Sequence, residues 1–549
     1  MAKLECVPYT KIRAFSRQKM CTKCWNLRIC MMGSSRDDAH VFSYIDGLFM
    51  AQDLSRNRTS PLSEFYESIR WALRDSNSLY YFCAIALGCL VSLYRAVHIA
   101  SLPYEVNFEE GPLAIVAQGL VRGAPLYPIP NVLPYELSPY GPIAYYLIAL
   151  PLRLFGLSFT PPRLLVVLSG MVCALMIALL LRHWTGSLLT GAVFGAVFLT
   201  MPAIMLWLPV LRVDLIGLMF SLVGIYVFTT WKRWYVSIVF FVAAVLCKFL
   251  FLAAPAACFL ALLVNRDWKR AIKFAVSYAL LAGAIILYWQ YQSHGWFAFH
   301  TLWIQGHHPF KPLSAVPSIL KEIRDNLFLV AITVVAVIAG FHQLRRSAVL
   351  PLIYFVTSFG IMFARGKSGA DSNYYLEWEA ALCVCAGLSY SLLLGKWQRS
   401  GARFVLPLLL VCTAWGTVVW TIHHRDQLKS ADLAQCGDAY QFVVKHPGDR
   451  ILAENIGAVF MARKHQLISD PFMWGQEVIG GRWSDAQILG LIRSRQIDLI
   501  FLRDKLEELR DDPGNRWPPS VLDAISSNYV LTKTYTCNEA EAAYVPATR

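Results

Sequence analysis

The sequence predicts a mainly α, polytopic membrane helical bundle that carries a small C-terminal α/β domain. Of its 549 residues 56% are hydrophobic and only 16% are charged, and the mean hydropathy of +0.46 is too high for a soluble globular protein. Apolar runs long enough to cross a bilayer recur along the chain until Thr421. We therefore expect a basic cytoplasmic N-terminal extension over 1–77, a membrane domain over 78–422 with an acidic outer loop at 101–139, and an extracytoplasmic domain over 423–549.

The apolar runs predict about eleven membrane spans together with interfacial helices. The spans are expected at 78–100, 163–182, 187–208, 214–231, 234–250, 251–264, 271–290, 325–342, 347–364, 376–395 and 402–422. A further run, 140–157, contains Pro142, Pro151 and Arg153, which suit a helix in the membrane interface better than a span. If this run crossed the membrane, the basic loops that follow it would all change sides.

The basic loops predict the orientation of the chain. The excess of positive charge, net +14 for the whole protein, falls largely in short loops such as 232–233, 266–270 and 345–346. With eleven crossings these loops share the cytoplasmic side with the N-terminus, as the positive-inside rule requires. We expect a multi-pass protein of a bacterial inner (plasma) membrane with its C-terminal domain outside. Basic clusters separated by apolar spans do not make the continuous face that nucleic-acid binding needs, so no nucleic-acid partner is expected.

The stretch 104–127 contains the most informative polar pattern, because Glu109 and Glu110 stand side by side in the first outer loop. Gly111 and Pro112 end this acidic turn, and the residues after them have the 3.6-residue spacing of a short amphipathic helix. A carboxylate pair at the mouth of a membrane bundle favours a site where a polar substrate meets a lipid-borne one. A solvated loop that holds two acids is the simpler alternative.

Other polar side chains are predicted on the same outer side of the membrane. Besides the acid Asp214, candidates for binding a substrate or its phosphate are Arg212, Lys248, His307, His308, Arg365, Lys367, Tyr374 and Tyr375. Lys248 interrupts an apolar run, where a lysine costs about 2.5–3.5 kcal/mol at mid-helix, so it is either functional or reaches a nearby interface. The two tyrosines could equally belong to the interfacial aromatic belt, and the two histidines to a solvated loop.

Carboxylates opposite lysine and arginine at an outer membrane surface suit the transfer of a group from a lipid-linked phosphate. The acceptor needs a general base, and the leaving phosphate needs cations or a divalent metal. No nucleotide sugar is available outside the cell, so the expected donor is a polyprenyl-phosphate-linked sugar in the lipid bilayer. A transporter or flippase is the alternative, although we find no internal repeats or broken helices of the kind that transporters show. A non-catalytic scaffold would leave Asp214 and Lys248 without a purpose.

Several short motifs resemble those of the membrane glycosyltransferases related to family 39, which include protein O-mannosyltransferases and lipid A aminoarabinose transferases. They are NFEEG at 107–111 with GAPLY at 123–127 (the family's acidic loop), 138–156 (its P-x-x-Y-Y segment ending in F-G), LRVD at 211–214 (A-R-P-D), CK at 247–248 (T-K), GK at 366–367 (G-K) and NYYL at 373–376 (N-Y-F-L). The resemblance runs from about 78 to 395 in the same order as in the family.

The resemblance implies a C-type glycosyltransferase fold and inverting transfer from a polyprenyl-phosphate sugar on the extracytoplasmic side. By position, Glu109 takes the place of the family's catalytic aspartate, Glu110 is its neighbour and Asp214 is the second acid. Lys248 and Lys367 fall near the donor phosphate. Because Glu109 stands where the family usually has aspartate, a divalent metal stays possible but unassigned. The sugar and the acceptor, whether glycan, lipid or protein, are not specified.

The C-terminal part has the pattern of a small α/β domain. Strands are predicted at 451–455, 497–504 and 529–536, and a helix at 483–496. The domain could gather an acceptor, cap the site or be structural. Its only cysteines, Cys436 and Cys537, would face an oxidising compartment on this topology, where they form a disulfide or remain two thiols.

Overall fold

The computed structural model describes residues 76–344, 349–396, 402–425, 430–510, 516–537 and 539–548. Apart from its last two positions, the predicted N-terminal extension lies outside these residues. The described chain is mainly helical and contains a five-stranded sheet near the C-terminus. The predicted class, a helical membrane bundle with a small C-terminal α/β region, is confirmed.

The membrane domain is built from seventeen helices within the described ranges. The first ten are α1 Ser76–Ala100, α2 Glu110–Val121, α3 Pro142–Phe155, α4 Thr160–Thr185, α5 Leu188–Phe198, α6 Pro202–Trp207, α7 Asp214–Thr230, α8 Val236–Val245, α9 Ala253–Val264 and α10 Trp268–Gln292. They are followed by α11 Trp296–Ala298, α12 Ile304–His307, α13 Val316–Asp325, α14 Leu327–Leu344, α15 Val349–Met362, α16 Leu376–Lys396 and α17 Ala402–Arg425. A π-helical turn, Phe299–Trp303, joins α11 to α12.

Six helical segments of the described chain are long and apolar enough to cross a membrane. They are Tyr80–Ala100, Thr160–Thr185, Trp268–Gln292, Val349–Gly366, Ser372–Leu393 and Phe404–His423. Shorter apolar helices accompany them, among them α3 in the run predicted to be interfacial. Twelve helical residues cover about 18 Å of a hydrocarbon core about 30 Å thick. The protein is a polytopic integral membrane protein, whereas the eleven crossings and their orientation stay predictions.

One predicted span is interrupted, and the boundary between two others forms a gap of several residues. The predicted span 187–208 consists of α5 and α6, and Pro202 begins the second of them. Farther along, α8 ends at Val245 and α9 begins at Ala253, so Lys248 lies in a break between two short helices. The expectation that the bundle has no broken helices is therefore wrong. The break allows the lysine amine to turn toward polar groups instead of toward lipid.

The C-terminal region is a mixed sheet flanked by helices. Its elements are α18 Ser430–Lys445, β1 Arg450–Ala453, α19 Ile456–Ala462, β2 His465–Gln466, α20 Pro471–Ile479, α21 Ala486–Arg493, β3 Leu499–Leu502, α22 Leu506–Arg510, α23 Pro519–Asn528, β4 Tyr529–Cys537 and β5 Glu539–Pro546. The strand order is β2-β1-β3-β5-β4, with β1 parallel to β2 and β3, and β5 antiparallel to β3 and β4. All four residues of β3 are buried, as expected for the central, apolar strand of a covered sheet.

A disulfide closes this region. Cys436 in α18 is bonded to Cys537 at the end of β4, and their Cα atoms are 4.6 Å apart. The structure therefore decides between the two alternatives that the sequence leaves open. The bond joins positions that are 101 residues apart in sequence, which constrains the unfolded chain strongly.

The acidic loop 101–139 packs directly on the C-terminal region. Glu105 accepts hydrogen bonds from the backbone N–H groups of Gly111 (3.0 Å) and Gly457 (2.7 Å). Burial raises the pKa of the Glu105 carboxyl to about 8. A Cβ atom on Gly111 would lie 2.4 Å from the Gly457 nitrogen, so the close approach of the two backbones requires glycine. Tyr135 adds a short pairing, donating from its N–H to the Leu467 carbonyl at 2.9 Å.

Candidate active site

A cavity of about 440 Å³ lies where the acidic loop, the break at Lys248 and the C-terminal region meet. This volume is in the range of small-molecule sites in proteins. Six of the predicted site residues line the cavity: Glu109, Arg212, Lys248, His308, Lys367 and Tyr374. The other five, Glu110, Asp214, His307, Arg365 and Tyr375, are not part of its wall.

Glu109 is the acid of the predicted pair that faces the cavity. It immediately precedes α2, and its side chain is 23% exposed. The Tyr140 hydroxyl donates a hydrogen bond of 2.8 Å to its Oε2 atom, and the Arg212 guanidinium forms an ion pair with the same oxygen. Arg212 Nη2 also donates to the Tyr140 hydroxyl at 3.3 Å. The carboxylate is thus held in one orientation by two partners on one of its oxygens.

Glu110 points the other way and is fully buried. Its carboxylate accepts from Arg163 through Nε at 2.8 Å and through Nη2 at 2.6 Å. The backbone N–H groups of Val106 and Leu211 donate to it at 2.7 Å and 2.6 Å. Charge-assisted bonds of this kind satisfy a buried carboxylate without any ligand. The geometry makes Glu110 an anchor between the acidic loop, α4 and the segment that precedes α7, not a group that meets a substrate.

Asp214 lies behind the cavity wall and forms ion pairs with two cations of that wall, Lys248 and Arg212. As the first residue of α7, it carries negative charge at a helix N-terminus, where such charge is favourable. Its Oδ1 atom accepts from Lys248 Nζ at 2.7 Å and from Asn373 Nδ2 at 3.1 Å, and its Oδ2 atom lies 3.5 Å from Arg212 Nε. The Lys248 ammonium also lies 4.2 Å from the centroid of the Tyr374 ring. Asp214 is therefore placed to orient both cations.

Lys367 supplies a third cation to the cavity wall. Its amine donates a hydrogen bond to the Gln305 side-chain carbonyl. Burial, assisted by the neighbouring charge of Lys248, lowers the pKa of Lys367 to about 8. An anion that enters the cavity would stabilise the protonated form of this amine.

Three predicted residues close to these positions have other partners. Arg365 lies 3.8 Å from Asp371 in an ion pair, and the Tyr375 hydroxyl donates to Ser318 Oγ at 2.8 Å. His307 is exposed; its ring packs on Trp303 with centroids 3.9 Å apart, and its Nδ1 lies 2.7 Å from the Trp303 carbonyl oxygen. Its neighbour His308 is buried and faces the cavity.

The cavity wall also contains residues that sequence reasoning missed. Asp470, Phe472 and Met473 come from the start of α20 in the C-terminal region. Asp470 caps this helix, accepting from the Met473 N–H at 3.0 Å, and is only 5% exposed. Burial, with a smaller contribution from the Glu109 charge, raises the pKa of Asp470 to about 7. The available signal was Asp-Pro, which marks a helix start but says nothing about a cavity.

The arrangement combines two carboxyl groups with three cations in one partly enclosed space. Glu109 and Asp470 can exchange protons or accept from hydroxyl groups, and Lys248, Lys367 and Arg212 can hold an anion. Among the described residues, no group of three or more His, Cys, Asp or Glu side chains is placed to hold a metal ion. The cavity therefore has the groups for chemistry at an anionic leaving group.

Comparisons with known proteins concern the fold of the chain. Residues 138–290 match the family profile of dolichyl-phosphate-mannose-protein mannosyltransferases, while none of the curated proteins matches the chain. Among solved structures, ArnT from Cupriavidus metallidurans in the apo state has a TM-score of 0.60 at 15% identity, with 84% of this chain and 97% of ArnT covered.

Two further structures show the same similarity. ArnT from C. metallidurans bound to undecaprenyl phosphate has a TM-score of 0.58 at 15% identity, with the same coverage of 84% and 97%. The oligosaccharyltransferase of Archaeoglobus fulgidus, tethered to an acceptor peptide containing the NVT sequon, has a TM-score of 0.52 at 10% identity, with 85% of this chain and 74% of that chain covered. The chain therefore has the C-type fold of these membrane glycosyltransferases, as its motifs predict.

Proposed function

We propose that the protein is a glycosyltransferase that moves a sugar from a polyprenyl-phosphate donor to an acceptor at the extracytoplasmic surface of the membrane. The observation that carries this proposal is the cavity itself, which places the Glu109 carboxylate and the amines of Lys248 and Lys367 on one wall. A base for the acceptor and cations for the leaving phosphate are the two requirements of such a transfer.

In the proposed reaction Glu109 is the general base. Tyr140 and Arg212 both contact its Oε2 atom, so Oε1 is the oxygen that would meet the acceptor hydroxyl. Glu109 takes the proton of the acceptor hydroxyl while the oxygen of that hydroxyl bonds to the anomeric carbon. At the same time the bond from the anomeric carbon to the phosphate oxygen breaks. The configuration at the carbon inverts. The polyprenyl phosphate leaves with the electron pair, and its charge is met by Lys248 and Lys367.

The other predicted residues have supporting roles in this proposal. Asp214 keeps Lys248 and Arg212 oriented through its contacts at 2.7 Å and 3.5 Å. Glu110 fixes the acidic loop, and His307, Arg365 and Tyr375 are left out of the substrate-binding machinery. No step is assigned to a metal.

The proposed location is a bacterial inner membrane with the C-terminal region outside and the N-terminus in the cytoplasm. The disulfide between Cys436 and Cys537 supports this orientation, because such bonds persist in oxidising compartments. A sulfhydryl reporter at the loop 232–233 and another at 182–183 should both read cytoplasmic. An external signal at 182–183 would mean that the run containing α3 crosses the membrane.

A transporter or flippase is the alternative, and the broken helices α5/α6 and α8/α9 are compatible with it. Against it, the acid and the cations converge on one cavity whose wall includes the C-terminal region. The similar solved structures that carry a lipid phosphate or an acceptor peptide are those of transferases.

The proposal is tested with the full chain in lipid nanodiscs. Undecaprenyl phosphate should bind, whereas undecaprenol, which lacks the phosphate, should bind at least about tenfold more weakly, since the cations contact only the phosphate. A deletion strain should accumulate one lipid-linked sugar, and the purified protein should release undecaprenyl phosphate from it when an envelope extract of that strain supplies the unmodified acceptor. Equal binding of the two lipids, or an unchanged profile of lipid-linked sugars, would contradict the proposal.

A further inference from the structure

His308 is a buried side chain whose polar atoms are not used by the protein. It is only 6% exposed and lines the cavity. Within the described residues, neither its Nδ1 nor its Nε2 atom has a hydrogen-bond partner. Each unpaired buried polar atom costs about 1–3 kcal/mol, so the arrangement favours a ligand that supplies both bonds.

The surroundings of His308 determine its protonation state. Burial is the main cause that lowers its pKa to about 4, and the nearby Lys367, Arg482 and His307 act in the same direction. At neutral pH the ring is therefore uncharged, with one nitrogen that donates and one that accepts. A phosphate group only accepts hydrogen bonds, whereas a hydroxyl group both donates and accepts. The ring matches hydroxyl groups better than an anion.

The groups beside His308 extend this match. The ring is nearly parallel to that of Phe472, at 22° with centroids 5.9 Å apart, and Phe472 meets Phe108 edge to face at 6.3 Å. Phe108, Phe472 and the carboxyl group of Asp470 all line the same cavity. Aromatic faces accommodate the C–H side of a sugar ring, and a carboxyl group accepts from its hydroxyls. Phe472 and Asp470 both come from the C-terminal region.

We propose that His308 and Phe472, with Asp470 beside them, form a subsite that binds the hydroxyl groups of a sugar ring. This subsite deepens the proposed function and rests on it, since it gives the C-terminal region a part in recognising the carbohydrate. The hydroxyls belong either to the sugar of the donor lipid or to a glycan acceptor. Lys248 and Lys367 bind the phosphate, and the subsite binds the sugar.

The test measures binding of methyl glycosides of mannose, glucose, galactose and arabinose to the purified full chain by saturation-transfer NMR. His308→Phe keeps a planar ring but loses both nitrogens, so binding should weaken by about tenfold, as for the loss of one or two hydrogen bonds. His308→Gln keeps a donor and an acceptor and should restore most of the affinity. His307→Asn is the matched control, because the adjacent imidazole lies outside the cavity.

The subsite is supported if His308→Phe weakens glycoside binding, His307→Asn does not, and His308→Gln restores the binding. Equal binding by wild type and His308→Phe overturns it, as does the lack of any bound glycoside in wild type. Binding of inorganic phosphate that is lost in His308→Phe would also overturn it, because the His308 site itself would then bind anions. Thermal denaturation of each variant identifies loss of folding, and Phe472→Leu gives an independent second disruption of the subsite.

Competition identifies the source of the sugar. Displacement of the glycoside by undecaprenyl-phosphate-mannose, but not by undecaprenyl phosphate, assigns the subsite to the donor sugar. Retention of the glycoside with both lipids assigns it to a glycan acceptor. Glycoside binding without any binding of undecaprenyl phosphate would keep the subsite and contradict the proposed transfer, so the two failures are distinguishable.

Discussion

The cavity wall and the layer directly behind it contain the same kinds of side chain but differ in how those side chains are paired. Behind the wall, Glu110 and Asp214 are almost completely buried and every carboxylate oxygen contacts a protein donor. On the wall, Glu109 is partly exposed with its contacts on one oxygen, and neither nitrogen of His308 has a hydrogen-bond partner among the described residues. The layer behind therefore provides rigidity, and the wall retains capacity for a ligand.

The largest effect is expected from Glu109→Gln on the wall. Loss of the base should reduce transfer by about 10²–10⁴-fold, measured as release of undecaprenyl phosphate from the lipid-linked sugar that accumulates in the deletion strain. The melting temperature should stay near that of wild type, because glutamine has the same volume and still accepts from Tyr140, and Arg212 keeps Asp214 as a counter-charge. Normal turnover in the purified variant would remove Glu109 from its role as base.

Glu110→Gln in the layer behind should act on folding instead. The substitution leaves Arg163 buried without its counter-charge, which costs about 3–5 kcal/mol. We expect a low yield and a lowered melting temperature by intrinsic fluorescence. Adding Arg163→Met should recover part of the loss, as a double-mutant cycle would show. A stable Glu110→Gln protein with defective turnover would instead put Glu110 among the reacting groups.

Lys367→Met should weaken binding of undecaprenyl phosphate by about tenfold, the value of one charge-assisted hydrogen bond. In wild type, binding should fall as the pH rises through about 8, where Lys367 loses its proton. The Lys367→Met variant should not show this fall in binding near pH 8. Lys311→Met serves as the matched control, since this lysine is exposed and is not part of the cavity wall. An unchanged pH profile in Lys367→Met would mean that another group produces the step.

The smallest effect concerns Asp470, whose folded-state pKa of about 7 lies above the ordinary value of 3.8. Between these values the folded state binds more protons than the unfolded state, so this group makes stability fall as pH rises. Asp470→Asn keeps the cap on α20 and removes the buried charge. It should raise the melting temperature at pH 8, and the difference should vanish near pH 4. A variant that is less stable than wild type at pH 8 would show that the charge is compensated.

Much of the membrane domain could be predicted because its signals are local. Apolar runs long enough to cross a bilayer gave helices at the predicted places, and the strands predicted at 451–455, 497–504 and 529–536 overlap with β1, β3 and β4. Motif order also indicated the fold. The break before Pro202 was missed because an unbroken apolar run does not reveal where its helix ends.

The identity of the site residues was less predictable. Glu109 and Glu110 are chemically equivalent in sequence, and only the position of Arg163 on α4 decides which of them is buried. His307 and His308 also differ, because His307 is the last residue of α12 whereas His308 follows that helix with an extended backbone. In both pairs a helix begins or ends between the two residues, and sequence reasoning does not locate such a boundary to the residue.

By itself the sequence determined that this protein is a membrane helical bundle with a small C-terminal α/β region, and it predicts that acids and cations stand at the outer ends of its helices. Hydropathy and charge fix these properties because they depend on local composition. Only the tertiary structure decided that the C-terminal region forms part of the cavity wall, through contacts such as that between Glu105 and Gly457, which are 352 residues apart. Contacts at that separation arise from packing and close backbone approach, which leave no periodic pattern in the chain.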